Sequence, residues 1–357
     1  MRLQPARATP LSTPPHPAMN SPFATLKPDT VAKLAGDGLP AGRHRWSQSE
    51  IDALTLAHAA RRPLLVRGEP GTGKTQLARA AAHHLGWRLH AVVIHPRFEP
   101  QDLIVRFDAV KRLADAQAGQ GGLKPDTAYY QPGPLWQAID WPSAKAYESC
   151  ANEKAAAGHV LLIDEIDKAD SDLPNSLLEV LGQHTLRVPG LGLGLSAQPG
   201  HWPLVLITTN EERELPPAFL RRCIVLNLAP EGDYAAWLVQ RGQAHFGPGG
   251  VARVERRVME HAADQLVLDR KHIGGAGLPP PGPAEYLDLL GALNTLAPGD
   301  TPQQLKLLDE LSRYAYIKAA HDPSLPPEAS QRRTPLPIAA ETRTSAKPVV
   351  RTARARK

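Results

Sequence analysis

The sequence predicts an α/β protein in which a parallel five-stranded sheet, covered by helices on both faces, is followed by a small all-α domain. Short apolar runs separated by helix-like stretches are typical of buried parallel strands. Such runs lie at 63–67, 88–94, 160–163, 203–208 and 224–228. A glycine-rich octapeptide directly follows the first run. The runs stop at about Glu231, where amphipathic segments begin.

The octapeptide GEPGTGKT at residues 68–75 fits the phosphate-binding pattern G-x-x-x-x-G-K-[ST]. Gly71 and Gly73 lack the Cβ atoms that would prevent the backbone from curling, so successive N–H groups can point at phosphate oxygens. Lys74 supplies a positive charge to those oxygens, and Thr75 offers a hydroxyl to a magnesium ion. A helix that begins here aims its positive dipole end at the same oxygens. The expected nucleotide-binding residues are Gly68, Glu69, Pro70, Gly71, Thr72, Gly73, Lys74, Thr75 and Gln76.

A second motif, VLLIDEID at residues 160–167, is a buried strand that ends in carboxylates. Asp164 is expected at the carboxyl edge of the sheet, where it can hold magnesium through water opposite Thr75. Glu165 turns toward the γ-phosphate and can polarise an attacking water as a general base. Alone, an apolar run before Asp-Glu is weak evidence for a nucleotide site, because many strands end in acidic residues. Downstream of a phosphate-binding loop, the same run is strong evidence for such a site.

A third motif, LITTN at residues 206–210, is another buried strand that ends in polar residues. Asn210 could hydrogen-bond the attacking water or the γ-phosphate from the side opposite Lys74. Further along, LPPAFLRRC at residues 215–223 predicts a proline-started helical turn that ends in Arg221 and Arg222. Their guanidinium groups could reach the γ-phosphate of a neighbouring subunit and neutralise charge there.

The remaining segments predict a helical domain between two tails. The amphipathic segments are 234–246, 251–268, 284–293 and 302–321, and the last has an apolar stripe of Leu305, Leu308, Leu311 and Ala315. Eight of the 36 prolines lie in residues 1–42 and six lie in 323–357, where apolar periodicity is missing. We therefore expect a disordered Pro-rich segment at 1–42, a nucleotide-binding domain at 43–229, a helical lid domain at 230–322 and a disordered basic tail at 323–357.

Composition excludes several classes of protein. No apolar stretch approaches the length of a bilayer, and the N-terminus lacks the apolar core of a signal peptide, so we expect a cytoplasmic protein that does not contact a membrane. Cys150 and Cys223 form no C-x-x-C pair, and the 14 histidines are scattered, which argues against a disulfide framework and a zinc site. Residues 323–357 carry eight Lys or Arg and two acids, against a net charge of +5 for the chain. The tail can attract nucleic acid, although a solvated extension is the commoner role.

The chain resembles an AAA+ ATPase in four motifs that occur in this order: GEPGTGKT, VLLIDEID, TTN and LPPAFLRRC. The segments 98–117 and 131–139 resemble the MoxR-like branch of that family. The resemblance covers about Arg45 to His321. It matches Lys74 and Thr75 to Walker A, Asp164 and Glu165 to Walker B, Asn210 to sensor 1, and Arg222 to the arginine finger. It implies Mg²⁺-dependent ATP hydrolysis in a ring, typically a hexamer. It also implies a client or adaptor protein, in some relatives one with a von Willebrand factor A domain.

One position departs from the family pattern. The MoxR-like branch usually has a basic sensor 2 residue where this chain has Pro279, within LPPPGPAEY. Arg270 and Lys271, a few residues upstream, are the candidates to replace it, although a solvated pair at a helix end is the simpler reading.

Two further interpretations stay open. A nucleic-acid motor or restriction-type GTPase would share the ring and the loop, and the basic tail fits it, but no aromatic-studded groove is visible. A nucleotide-dependent scaffold without turnover would account for the missing sensor 2 residue, yet it leaves Glu165 without a role.

Overall fold

The computed structural model describes residues 21–34, 41–118, 124–170, 172–183, 185–197, 201–230, 232–247, 253–275 and 280–317. The tail expected at 323–357 lies outside these residues, as do residues 1–20 and 35–40 of the disordered segment expected at 1–42. The strands are β1 Val31–Leu34, β2 Gly42–Arg45, β3 Leu64–Arg67, β4 Arg88–Val93, β5 Val105–Phe107, β6 Tyr130–Pro132, β7 His159–Asp164, β8 Thr185–Val188, β9 Leu193–Ser196, β10 Leu204–Thr209 and β11 Ile224–Asn227. The helices are α1 Gln48–Ala60, α2 Lys74–Leu85, α3 Ala109–Ala118, α4 Pro134–Ile139, α5 Trp141–Ala144, α6 Asp172–Gln183, α7 Pro217–Leu220, α8 Tyr234–Phe246, α9 Arg256–Gly275, α10 Pro283–Leu296 and α11 Thr301–Tyr316.

The predicted five-stranded sheet is confirmed. Its strand order is β11-β3-β10-β7-β4, and all four neighbouring pairs are parallel. Ile207 of β10 is opposite both Leu65 of β3 and Ile163 of β7. The carboxyl ends of these three central strands therefore lie level at one edge of the sheet, which brings the ends of the three sequence motifs together.

Alternate residues of the buried strands face two different cores. Val160 and Leu162 of β7 pack in a cluster with α1 and α2, whereas Leu161 and Ile163 pack in a second cluster with α4 and α6. All four side chains are at most 1 % exposed. Both faces of the sheet are thus covered by helices, as the uninterrupted apolar runs predict.

The expectation of disorder across residues 1–42 is wrong for residues 21–34. Phe23 is fully buried and stacks on His84, with ring centroids 5.8 Å apart. β1 pairs with β2 in an antiparallel hairpin, and Leu34 is buried in the α1–α2 core. The few apolar residues in this proline-rich segment have no periodicity, but they have partners distant in the chain.

Among the described residues, three two-stranded antiparallel sheets were not predicted: β1–β2, β5–β6 and β8–β9. Each strand has only three or four residues. A run that short does not show a period-2 pattern clearly, so pairing to a partner strand decides its conformation.

The described residues form two compact units, one ending at Ala229 and the other beginning at Pro230. The second unit contains only helices, α8 to α11, among its described residues. The predicted bounds of α8 are confirmed, whereas α9 begins at Arg256, later than predicted. Leu305 and Leu308 are buried in the core of this unit, and Leu311 and Ala315 pack against it.

Candidate active site

The loop between β3 and α2 has the conformation that its glycines permit. Gly68, Gly71 and Gly73 have φ values of 151°, 80° and 100°, a region that other residues rarely adopt. A Cβ atom on Gly68 would lie 2.7 Å from the carbonyl oxygen of Leu228. The N-cap of α2 is Gly73, with no side-chain capping bond, so the first N–H groups of the helix remain available to an anion.

Lys74 is folded back into this loop. Its Nζ donates hydrogen bonds to the carbonyl oxygens of Gly68, at 2.6 Å, and of Glu69, at 3.0 Å. The side chain is buried, and burial lowers its pKa, against the opposing effect of Asp164 and other nearby carboxylates. A desolvated ammonium beside backbone carbonyls is well placed to bind phosphate oxygens.

The other expected loop residues support this arrangement. Thr72 is buried and donates from Oγ1 to the carbonyl oxygen of Glu69 at 2.8 Å. Gln76, in the first turn of α2, accepts from Arg79 Nη1 at 3.1 Å. Glu69 and Pro70 are exposed at the tip of the loop.

Thr75 and Asp164 lie side by side, although they are far apart in sequence. Thr75 Oγ1 donates to Asp164 Oδ2 at 2.8 Å. The second oxygen, Asp164 Oδ1, accepts from the buried hydroxyl of Thr208 at the end of β10. A hydroxyl next to a carboxylate is the hard oxygen set that Mg²⁺ prefers, so these two residues fit the predicted ion.

Glu165 begins the turn after β7 with an unusual backbone. Its φ and ψ are 60° and 49°, in the left-handed region, which is uncommon outside glycine and marks functional turns. Its N–H donates to Thr208 Oγ1 at 2.9 Å. Its carboxylate accepts from Lys168 Nζ at 2.5 Å and from Asn210 Nδ2 at 3.3 Å. The structure therefore brings together two predicted site residues, Glu165 and Asn210.

Three residues at this site were not singled out by sequence reasoning. Thr208 connects Asp164 to the backbone of Glu165, and Lys168 contacts the carboxylate of Glu165. Asp167 is 2 % exposed, and its Oδ2 accepts the N–H groups of Asn210 at 3.2 Å and Glu212 at 2.9 Å. Asp167 and Thr208 lie inside the two quoted motifs, so the signal was their position next to the chosen residues.

The predicted pair Arg221 and Arg222 lies apart from this group of contacts. Both are exposed, directly after α7. Arg62 donates to the carbonyl oxygens of both residues. In the described part of the chain, the one side-chain hydrogen bond of this pair is local, from Arg222 Nη1 to the carbonyl oxygen of Ala218 at 3.3 Å. Their guanidinium groups are free to contact another molecule.

The sensor 2 position, Pro279, lies outside the described residues. Arg270 Nη1 donates to the carbonyl oxygen of Pro281 at 2.9 Å, and its guanidinium lies 5.0 Å from the ring centroid of Tyr234. Lys271 is exposed. Arg270 is thus engaged within the helical unit.

The chain is similar in sequence to known proteins. Residues 63–223 match the family model described as the AAA domain of the dynein-related subfamily. Over 226 residues the chain is 25 % identical to the denitrification regulatory protein NirQ of Stutzerimonas stutzeri, covering 58 % of this chain and 69 % of NirQ. A solved structure of a RuvB mutant from Thermotoga maritima is similar over 74 % of this chain and 70 % of its own, with 16 % identity and a TM-score of 0.39. In the described residues, no helix combines the length and apolar character needed to cross a membrane.

Proposed function

We propose that this protein, whose residues 63–223 carry an AAA domain, is a Mg²⁺-dependent ATPase that assembles into a ring and remodels or activates a partner protein. The observation that carries the proposal is the convergence of Lys74, Thr75, Asp164, Glu165 and Asn210 at one sheet edge, through the contacts given above. These are the residue types that phosphoryl transfer from ATP to water requires.

Each residue has a distinct role in the proposed reaction. The loop N–H groups and Lys74 bind the phosphates, and Thr75 and Asp164 would hold Mg²⁺, which neutralises phosphate charge when bound. Glu165 accepts a proton from the attacking water. Asn210 Nδ2 and Lys168 Nζ each donate to one carboxylate oxygen of Glu165 and so fix its orientation. An arginine from a neighbouring subunit, Arg222 or Arg221, stabilises the charge on the transferred phosphoryl group.

The proposed partner is another protein. NirQ is named as a regulatory protein of denitrification, and a regulatory role is compatible with action on a partner protein. We propose a hexamer in the cytoplasm whose client or adaptor carries a von Willebrand factor A domain, as the MoxR-like resemblance implies.

The test is ATP binding and ATP hydrolysis in two variants. Lys74→Ala should lose ATP binding because the phosphates lose their main cation. Glu165→Gln should retain Mg²⁺-dependent ATP binding but lose turnover by roughly 100-fold or more, because the amide cannot accept the proton. Chelation of Mg²⁺ should abolish turnover in the parent protein. Hydrolysis at the parental rate by Glu165→Gln would remove that residue from the base role.

The basic residues of segment 323–357 favour a second candidate, a nucleic-acid-linked motor. Stimulation of ATP hydrolysis by single- or double-stranded nucleic acid, lost on deletion of the segment, would favour this candidate. ATP binding without any hydrolysis in the parent protein would instead favour a nucleotide-dependent scaffold.

A further inference from the structure

Arg62 connects the end of α1 to the arginine pair, Arg221 and Arg222. Its own N–H donates to the carbonyl oxygen of Ala57 at 3.1 Å, so the last turn of α1 fixes its backbone. Its Nε donates to the carbonyl oxygen of Arg222 at 2.9 Å, and its Nη2 donates to that of Arg221. One guanidinium therefore binds two consecutive carbonyl groups that are 160 and 159 positions away in the chain.

The segment that carries the arginine pair is anchored on both sides. Phe219 and Cys223 are buried in the core that also contains α4 and α6. The N–H of Ile224 donates to the carbonyl oxygen of Pro63 at 2.9 Å, where β11 begins to pair with β3. Between these anchors, both side chains of the pair are exposed. Carbonyl groups at the end of a helical turn lack partners within that turn, and Arg62 supplies the donors for two of them.

The arginine pair lies at the edge of the sheet opposite the phosphate-binding loop. β11 and β3 are parallel, and Ile224 at the start of β11 is opposite Leu64 at the start of β3. The loop follows the other end of β3, directly after Arg67. The four residues of this strand span roughly 13 Å. The backbone of the pair is therefore separated by the length of β3 from the loop that would bind the nucleotide of the same subunit.

We propose that Arg62 is a positioning residue for the arginine pair, and that it acts on ATP hydrolysis at the neighbouring subunit's site and not at its own. This inference rests on the proposed shared site and adds to it a residue that does not contact the nucleotide. An arginine stabilises a transferred phosphoryl group only when its guanidinium meets the reacting oxygens, and a misplacement of about 1 Å can lower the rate about 100-fold. By binding the two carbonyl groups, Arg62 restricts the backbone from which both side chains of the pair extend.

The first test is steady-state ATP hydrolysis by Arg62 variants of the full chain. Arg62→Gln should lower kcat roughly tenfold or more, because the shorter side chain cannot bind both carbonyl groups, while KM and ATP affinity keep their parental values. Arg62→Lys keeps a donor for one carbonyl group and should retain more of the parental kcat. Arg61→Gln is the matched control, because Arg61 is an exposed arginine one position earlier that makes neither of these bonds. It should hydrolyse ATP at the parental rate.

Mixing of variant subunits shows which site Arg62 serves. An equal mixture of Arg62→Gln and Lys74→Ala subunits should recover up to about a quarter of the parental activity, because some sites then combine an intact loop with an intact arginine pair from the next subunit. A mixture of Arg62→Gln with Arg222→Ala should show no recovery, because neither subunit supplies an intact pair. If Arg62 served the nucleotide of its own subunit, the first mixture would stay inactive and the second would recover.

The proposal and the shared site on which it rests fail in different ways. Parental kcat in Arg62→Gln, while Arg222→Ala is inactive, would overturn the proposal alone, and so would the reversed mixing result. Loss of ATP binding or of assembly by light scattering in both Arg62→Gln and Arg62→Lys would also overturn it, because Arg62 would then support folding and not the placement of the pair. Parental activity of Arg222→Ala combined with Arg221→Ala would overturn the shared site itself.

Discussion

Asp167 is a buried carboxylate that joins the ends of two neighbouring strands. It follows β7 in the chain, yet it accepts backbone N–H groups from the segment after β10. In this way it fixes Asn210, whose side chain donates to Glu165. A residue outside the proposed ATP contacts can therefore set the position of Asn210.

Removing this carboxylate should cost both stability and turnover. We expect Asp167→Ala to lower the free energy of unfolding by about 1–3 kcal/mol, because two N–H groups lose their acceptor. Turnover should fall while ATP binding persists. Asp167→Asn, which keeps an acceptor oxygen, should be affected less. Urea denaturation and steady-state ATP hydrolysis measure the two effects.

Asp170→Ala is the matched control for this prediction. Asp170 lies three residues away, is 85 % exposed at its side chain and pairs with Arg213 at 3.6 Å. An exposed ion pair of this kind contributes little to stability, so its loss should change neither the unfolding free energy nor the rate of ATP hydrolysis. An equal effect in Asp167→Ala and Asp170→Ala would contradict the role given to Asp167.

At the scale of secondary-structure elements, β4 and β7 are joined by a buried histidine pair. His90 Nε2 lies 2.9 Å from His159 Nδ1, and both side chains are buried. Burial, together with His159 and Arg88, lowers the pKa of His90 to about 3. Burial and Arg88 lower the pKa of His159 to about 4. Both imidazoles are therefore neutral in the folded protein near neutral pH.

Acid should weaken this strand pair before the folded histidines titrate. Below about pH 6.5 the unfolded chain binds protons that the folded chain does not, so the unfolding free energy falls as the pH falls. The contribution of His90 to this fall in the unfolding free energy is about 1–2 kcal/mol between about pH 7.5 and about pH 5. His90→Gln should reduce this pH dependence by that amount, measured by urea denaturation at both pH values. His95→Gln, at an exposed histidine, should leave it unchanged.

The end of helix α9 contains Arg270 and Lys271, the candidates to replace the missing sensor 2 cation. Arg270 is engaged with Pro281 and Tyr234, and a sensor 2 cation would normally favour ATP over ADP by about 1.5–3 kcal/mol. Without such a cation, ATP and ADP should bind with similar affinity in a Glu165→Gln background, measured by calorimetry. A tenfold or greater preference for ATP that Arg270→Ala or Lys271→Ala removes would show that the sensor has moved upstream.

At the scale of the whole molecule, we propose that the active site is shared between subunits. Arg221 and Arg222 are exposed and make no contact with Lys74, Asp164, Glu165 or Asn210 among the described residues. Specific ATPase activity should therefore rise with protein concentration as subunits assemble. An arginine that acted on its own nucleotide would give an activity independent of concentration.

Subunit mixing tests this directly. Arg222→Ala and Lys74→Ala should each be inactive alone, but an equal mixture should recover up to about a quarter of the parental activity, because one subunit supplies the loop and the next supplies the arginine. The control is a Lys74→Ala subunit mixed with a subunit that carries both Arg222→Ala and Glu165→Gln. Neither subunit then has both Lys74 and Glu165, so the mixture restores no site. No recovery at any ratio, with assembly intact by light scattering, would count against a shared site.

The sequence by itself determined the sheet and which residues lie at its edge. The five apolar runs and GEPGTGKT are local patterns, because a strand buried on both faces is apolar throughout and a phosphate-binding loop needs glycine at fixed positions. That is why the strands, the loop and the proximity of Thr75 to Asp164 could be predicted. The contact between Asn210 and Glu165 was not predicted.

Only the tertiary structure decided the partners that are distant in sequence. It gave Phe23 its burial and Asp167 its two N–H donors. In each case the local sequence is compatible with several environments. The free energy that selects one comes from contacts with residues far along the chain, which a local pattern does not contain.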